Sequence, residues 1–234
     1  MKRLRYIAIS ILLLVPLTAV TGEVIDGVIA TVNRKPILQS EWDDAVRYEA
    51  FMQQKPLRAV TEGDRVSALE RLIDRRLLES QMSDANRFAP SRDEVRVSLA
   101  RLREQIPGAK DDQAWQKMLS SYALRERDIE AGLRSETLMM NFIEVRLRPS
   151  VHVQPEEVEA YYRAQVLPDM EKVGVKVVTF EELEPRIREV LVEQHIDQLL
   201  DTWLHNLRQQ TPIHSSIPLP ARSSAAGREA EGGI

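Results

Sequence analysis

The sequence predicts a mainly α-helical protein with a small β-hairpin near its N-terminus. Apolar residues recur at three- and four-residue steps over most of the chain, and helix-start signals precede several of these stretches. The β-branched segment 24–32, followed by a turn over 33–36, favours a hairpin. With 43% hydrophobic residues among 234, the chain is long and apolar enough to bury a core.

Residues 1–22 have the pattern of a secretory signal peptide. Three basic residues precede an apolar run over residues 6–20, and small residues lead to a cleavage site predicted between Gly22 and Glu23. A helix that spans a bilayer needs about 20 apolar residues, so we expect this run to be removed on export. The alternative is that this run is retained as a membrane anchor. The sequence favours its removal, and we therefore expect no stable membrane anchor.

Capping signals set the expected helix starts. Ser40, Thr61 and Ser91 each precede an apolar periodic stretch and have an acidic residue three positions later. Residues 166–178 are expected to be irregular, and a tail over 214–234 is expected to be disordered because it lacks periodicity. The last helix should close the fold by packing on two earlier ones. The pattern predicts helices over about 40–54, 64–84, 92–105, 111–119, 126–146, 155–162 and 182–209.

Several kinds of chemistry are excluded by composition and spacing. A formal net charge of −4 gives no electrostatic reason to expect a nucleic-acid partner. The chain has no cysteine, no phosphate-binding loop motif and no nucleophile-elbow motif. Its pairs of acidic residues lie at predicted helix starts, where capping explains them. The sequence therefore predicts no catalytic residue, no cofactor and no metal site, and specifies no oligomeric state.

Methionines beside aromatic residues are the candidate binding residues. Methionine side chains are flexible and suit surfaces that accept varied partners. Phe51, Met52, Met139 and Met140 lie on amphipathic helices that are short or mixed in pattern, so we expect them to line an apolar groove. Packing in an ordinary core is the alternative for these residues.

Three segments in this order resemble a known family. They are the hairpin region 24–41, the helix Leu-Glu-Arg-Leu-Ile-Asp-Arg-Arg-Leu-Leu over 69–78, and Pro-Glu-Glu-Val-Glu-Ala-Tyr-Tyr over 155–162. The order resembles the N-terminal module of SurA-like periplasmic chaperones, within the wider class of trigger-factor/SurA peptide-binding domains. The resemblance covers about residues 23–213.

The resemblance implies a domain organisation. Residues 23–162 would form the N-terminal module, and 180–213 a returning helix and a short strand that joins the hairpin. A parvulin prolyl-isomerase domain usually sits at the position of the short linker 163–179. That interval contains one glycine and no histidine, and it is too short to form such a domain.

The resemblance also implies a function. We expect an ATP-independent periplasmic chaperone or assembly factor that binds unfolded or partly folded envelope proteins, including outer-membrane proteins, through an apolar groove. The short linker argues against an enzyme. Two alternatives stay open: a family member with peptidyl-prolyl isomerase activity, and a structural module that binds one folded envelope partner.

Overall fold

The computed structural model describes residues 26–173 and 178–220, and within them the fold is mainly helical, as predicted. The predicted signal peptide, its cleavage site at Gly22 and Glu23, and residues 221–234 lie outside the described part. Short 3₁₀ turns occupy Leu57–Ala59, Ala85–Phe88 and Arg148–Ser150. The α-helices are α1 (Gln39–Met52), α2 (Glu62–Glu79), α3 (Arg92–Gln105), α4 (Asp112–Ser121), α5 (Glu126–Leu147), α6 (Pro155–Tyr161), α7 (Leu167–Val173) and α8 (Phe180–Gln210).

A three-stranded antiparallel sheet joins the two ends of the described chain. It contains β1 (Val28–Val32), β2 (Lys35–Leu38) and β3 (Ile213–Ser215) in the order β2-β1-β3. Asn33 and Arg34 form the hairpin turn with φ angles of 48° and 65°, a two-residue geometry that matches the twist of the strands. The predicted hairpin and its short C-terminal partner strand are confirmed.

Two of the three predicted caps are present. Thr61 pairs with Asp64, and Ser91 pairs with Glu94, in reciprocal capping boxes at the starts of α2 and α3. The predicted Ser40 cap is wrong. Because β2 runs directly into α1, the N-cap position falls on Leu38, two residues earlier, and Ser40 donates from its backbone N–H and its hydroxyl to Asp26 instead.

The largest core lies between the sheet and four helices. As predicted, α8 packs on both α2 and α5. Arg208 of α8 donates from Nε to Asp74 of α2 over 2.8 Å, and both side chains are largely buried. The buried apolar members of this core are Ala30, Val32, Ile37, Trp42, Val46, Ala68, Leu69, Leu72, Ile73, Leu77, Leu78, Phe142, Leu204 and Leu207.

Two smaller cores flank the first. One joins α3, α4 and the first half of α5 to Phe51 at the end of α1, with Trp115 at its centre. The other holds α6 against the first half of α8 through Val158, Ile187 and Leu191. The long last helix therefore contributes to two separate cores.

Two stretches that were expected to lack regular structure, 166–178 and the residues after 213, have more of it than expected. A π-helical turn over Tyr162–Val166 leads into α7, so most of the stretch expected to be irregular is helical. The described chain continues to Pro220, and Ile217 and Leu219 pack against the first core, so a disordered tail does not begin at 214. A single short strand and two alternating apolar residues are enough to anchor this segment, although they show no helical periodicity.

Candidate functional site

A groove of about 620 Å³ lies between α1, α2 and α5. It lies where α1 packs closely on α2 and more sparsely on α5. Within the described residues, no helix has the length and apolar character needed to cross a bilayer. The apolar residues that line the groove are Ala45, Tyr48, Met52, Leu72, Leu124, Ala131 and Gly132.

The side of α1 that faces α2 is closed by specific contacts. Trp42 donates from Nε1 to the carbonyl oxygen of Arg65 over 2.7 Å, and the Arg65 guanidinium lies 4.2 Å from the centre of the indole ring. Arg76 donates to both carboxylate oxygens of Glu41 at 2.8 and 2.9 Å. These contacts, added to the buried leucines beneath them, make α1 and α2 one firm wall of the groove.

Tyr48 and Gly132 mark the point where α1 and α5 come closest. A Cβ atom built on Gly132 would lie 2.2 Å from Cε2 of Tyr48. That separation is too short for any real side-chain contact. Glycine inside a helix costs about 1 kcal/mol relative to alanine. Its presence in α5 therefore fits the need to place the Tyr48 ring directly against the helix.

Tyr48 also gives the groove a polar end. Burial, together with the nearby carboxylate of Glu136, raises the pKa of the Tyr48 hydroxyl far above its usual range. Desolvation raises the pKa of Glu136, against the opposing effects of the Tyr48 hydroxyl and of Arg75. The hydroxyl therefore stays protonated under physiological conditions and can donate one hydrogen bond, to the Glu136 carboxylate or to a bound chain.

The predicted binding residues separate into different environments. Met52 lines the groove and is partly buried. Phe51 is only 1% exposed and lies edge-on to Trp115 and Tyr122, with ring centroids 5.6 and 5.5 Å apart. Its predicted place in the groove is corrected: Phe51 is a core residue, because the α1 face that carries it turns toward α4.

The other two methionines lie outside the groove lining. Met139 packs on the first core and is partly buried. Met140 is 63% exposed on α5 but does not contribute to the lining. Of the four residues expected to bind peptide, Met52 is the one in the lining of this groove, and peptide binding by any of them stays a prediction.

Several lining residues were missed by sequence reasoning. Tyr48 lies four positions before Met52, so the two share one face of α1 and could have been paired on that ground. Gly132 is a lone glycine inside a predicted helix, which is a signal for a close approach. Glu136 follows Gly132 by four positions on the same face of α5.

Two further cavities are present outside the groove, one of them distant from it and one adjacent to it. One of about 470 Å³ is formed by residues 150–152 and α8, with His152, His195 and Leu199 in its lining. The smaller, about 160 Å³, lies next to the groove and shares Glu49 and Arg71 with it. Across residues 26–173 and 178–220, no three potential metal ligands cluster together.

Comparison with known families agrees with this geometry. The family described as the SurA-like N-terminal domain matches residues 2–143, a range that contains every residue of the groove, and no parvulin domain family matches. No curated protein matches the chain at a significant level. SurA-like proteins are typically periplasmic, and the family indicates a chaperone-related role. The matched range includes the hairpin and the groove and ends in the last turns of α5. The chain therefore belongs to the SurA-like N-terminal domain family.

Proposed function

We propose that this protein is an ATP-independent periplasmic chaperone or assembly factor. Its clients would be unfolded or partly folded envelope proteins, outer-membrane proteins among them. The observation that carries the proposal is the groove of about 620 Å³, which lies inside the family-matched region and is left open by the protein's own side chains. An extended client segment would place its apolar side chains against Tyr48 and Met52, above the buried Leu72.

The driving force would be the burial of client side chains. Transfer of apolar surface out of water contributes about 25 cal/mol per Å² before ordering is counted. A disordered client loses much conformational freedom on binding, so we expect dissociation constants near the micromolar level, about −8 kcal/mol. Release at such an affinity needs no nucleotide.

The lining suits clients of varied sequence. Met52 has an unbranched and adaptable side chain, and Tyr48 combines an apolar ring with a hydroxyl that can donate to a client carbonyl. The small residues Ala131, Gly132 and Ser135 on α5 leave room for side chains of different size. Specific recognition of a single sequence would need more numerous fixed polar groups.

The test is suppression of aggregation of an unfolded outer-membrane β-barrel protein diluted from denaturant. We expect the purified protein in excess to keep the client dispersed, and Met52→Glu to lose this effect because a charge would enter the apolar lining. Met140→Glu is the matched control, since it makes the same change at an exposed position of α5 outside the lining.

Absence of suppression by the wild-type protein would contradict the proposal. Equal suppression by both variants, with both folded by circular dichroism, would place the client elsewhere. The isomerase alternative gains no support, because the matched family is the N-terminal domain, which alone is a non-catalytic module. Light scattering would distinguish the remaining alternative, since a dedicated folded partner gives one fixed stoichiometry.

A further inference from the structure

We infer that the outer edge of strand β3 accepts an extended segment of an unfolded client as a fourth strand of the sheet. This inference rests on the proposed function and adds to it a second mode of client recognition, through the polypeptide backbone. It comes from the direction in which the backbone groups of β3 point and from the hydrogen bonds that they form.

Hydrogen bonds on either side of β3 fix the direction of its backbone groups. The Asn33 N–H donates to the Pro212 carbonyl oxygen over 3.0 Å, and the Ser216 N–H donates to the Ile29 carbonyl oxygen over 2.9 Å. In an antiparallel ladder only every second residue bonds to a given neighbouring strand. The middle residue of β3 therefore also bonds to β1, and the two residues beside it point their N–H and C=O groups away from β1.

The two outward-pointing residues of β3 are Ile213 and Ser215. Among residues 26–173 and 178–220, no group forms a hydrogen bond with the outward N–H or C=O of either one. Both residues are half-buried, and His214 between them is exposed. The edge therefore offers two donors and two acceptors, arranged as a further strand needs them.

The opposite edge of the sheet is protected against such pairing. Pro36 lies in β2 opposite Thr31, and because Thr31 belongs to the residues of β1 that bond to β3, Pro36 takes an outward-pointing position. Proline has no N–H, and proteins commonly place it on an edge strand to prevent another strand from adding. The sequence of β3, Ile-His-Ser, contains no such residue. The chain thus blocks one edge and leaves the other able to pair.

The partner that fits this edge is an extended peptide with alternating apolar and polar residues. Client residues that bond to Ile213 and Ser215 place their side chains on the face of the sheet that carries Ala30 and Val32 of the first core. The client residue between them lies on the exposed face, beside His214. Since backbone bonds carry the affinity, the segment needs this alternation but no fixed sequence. The strands of outer-membrane β-barrel proteins have this pattern.

Amide hydrogen exchange of the full protein, followed by NMR, tests the site directly. In the free protein the amides of Ile213 and Ser215 should exchange quickly, and that of His214 slowly, because it bonds to β1. The probe is an alternating Val/Thr peptide of about ten residues. At about ten times its dissociation constant, we expect it to slow exchange at Ile213 and Ser215 about tenfold.

Two N-methylated forms of this peptide provide a matched pair. Methylation at the valine positions removes the N–H groups that face β3, whereas methylation at the threonine positions removes those that point away from it. We expect the first form to give no protection at Ile213 and the second to protect it as the unmodified peptide does. The two forms keep the same side chains, so the comparison isolates the backbone bonds.

Ser215→Pro removes one outward donor of the protein, and Ser215→Ala is its control. The control is needed because the Ser215 hydroxyl also accepts from the Ile217 N–H over 3.2 Å. With protection of the Ile213 amide as the measure, we expect Ser215→Pro to weaken the peptide about fivefold and Ser215→Ala to stay within about twofold of the wild type. The methylated peptides test the inference even if the proline variant does not fold.

The outcomes separate this inference from the proposed function. Peptide binding without protection at Ile213 would overturn the strand addition and leave the groove function standing. Equal protection by both methylated peptides would also overturn it, since the bonds would not follow the ladder. Protection that rises with protein concentration in the absence of peptide would mean that a second copy pairs at this edge, against the client assignment. If no peptide binds and the unfolded client still aggregates, the proposed function and the inference fail together.

Discussion

The two sides of helix α1 differ in how closely they pack on the neighbouring helices. Toward α2, the helix is held by an indole hydrogen bond, by ion pairs such as Glu41–Arg76, and by buried side chains that include Val46 and Leu69. Toward α5, it comes into close contact at Tyr48 and Gly132, joins a core with α5 through Phe51 at its end, and otherwise packs more sparsely.

The residue types on α5 explain this difference. Ala131, Gly132 and Ser135 lie on the face that lines the groove, and none of them has a side chain long enough to reach α1. The α2 wall instead presents Leu72, with Arg71 and Arg75 at its rim. A groove therefore forms where α2 offers large residues and the part of the α5 face between Asp128 and Glu136 offers small ones.

The largest predicted effect removes the helix that supports the closed side. A chain that ends after Glu181 loses almost all of α8, and with it Leu204 and Leu207 of the first core and Ile187 and Leu191 of the third. We expect this fragment to show no cooperative thermal unfolding by circular dichroism. A fragment that melts like the full chain would mean that the closed side does not depend on α8.

Arg208→Ala tests the same support with one side chain. Removing Arg208 breaks a largely buried, hydrogen-bonded ion pair with Asp74, so we expect a loss of about 3 kcal/mol in the free energy of unfolding. Urea denaturation measures it. Arg186→Ala is the control, since Arg186 is an exposed residue of the same helix, and an equal loss in both variants would refute this role for the pair.

Gly132→Ala tests the open side. The added methyl group would push the Tyr48 ring into the groove, while the gain in helix propensity of about 1 kcal/mol offsets part of the strain. We therefore expect peptide affinity to fall about tenfold, or about 1.4 kcal/mol, with a smaller change in the midpoint of thermal unfolding.

Gly63→Ala provides the matched glycine control for this prediction. Gly63 lies in the first turn of α2, and a Cβ atom there would meet only the Thr61 hydroxyl oxygen, at an ordinary 3.6 Å. Peptide affinity should be unchanged in this variant. If both alanine variants bound peptide as the wild type does, the close approach at Gly132 would have no part in shaping the groove.

The smallest predicted effect concerns the start of α2, the helix that packs on the closed side of α1. Hydrogen bonds from Lys55 and from Thr61 hold the pKa of Asp64 well below its ordinary value of 3.8. Because the folded-state pKa is depressed, the stabilisation is fully present above the unfolded-state pKa and is lost as pH falls through the folded-state value.

Asp64→Asn should therefore lower the thermal midpoint slightly near neutral pH and flatten its decline below about pH 4. The measurement is thermal unfolding as a function of pH. Glu62→Gln, which changes an exposed residue of the same turn, should leave the acid dependence as in the wild type. An acid profile of Asp64→Asn that matches the wild type would contradict this role of the capping box.

Local signals explain which parts of the fold could be predicted. The boxes at Thr61 and Ser91 fix helix starts through contacts within one turn, so the sequence alone predicts them. Ser40 failed because its partner, Asp26, lies 14 residues away. The strand β3 followed from the family resemblance, whereas the packing of Ile217 on the first core depends on distant residues and has no local signature.

The position of the groove could be predicted only in part from the sequence. Phe51 and Met52 are adjacent in sequence, but successive residues of a helix point about 100° apart, and one side chain enters a core while the other lines the groove. Which face turns inward depends on where α4 and α5 pack. The sequence pattern could mark α1 as amphipathic, but it could not show that Gly132 would meet Tyr48.

Site-specific photo-crosslinking tests the central claim most directly. A benzophenone side chain is placed at position 52, in the groove, or at position 140, exposed on α5 outside it, and each protein is irradiated with an unfolded outer-membrane protein. We expect strong crosslinks from position 52 and few from position 140. Equal crosslinking from both positions, or none from position 52 while the client stays dispersed, would contradict a client site between α1, α2 and α5.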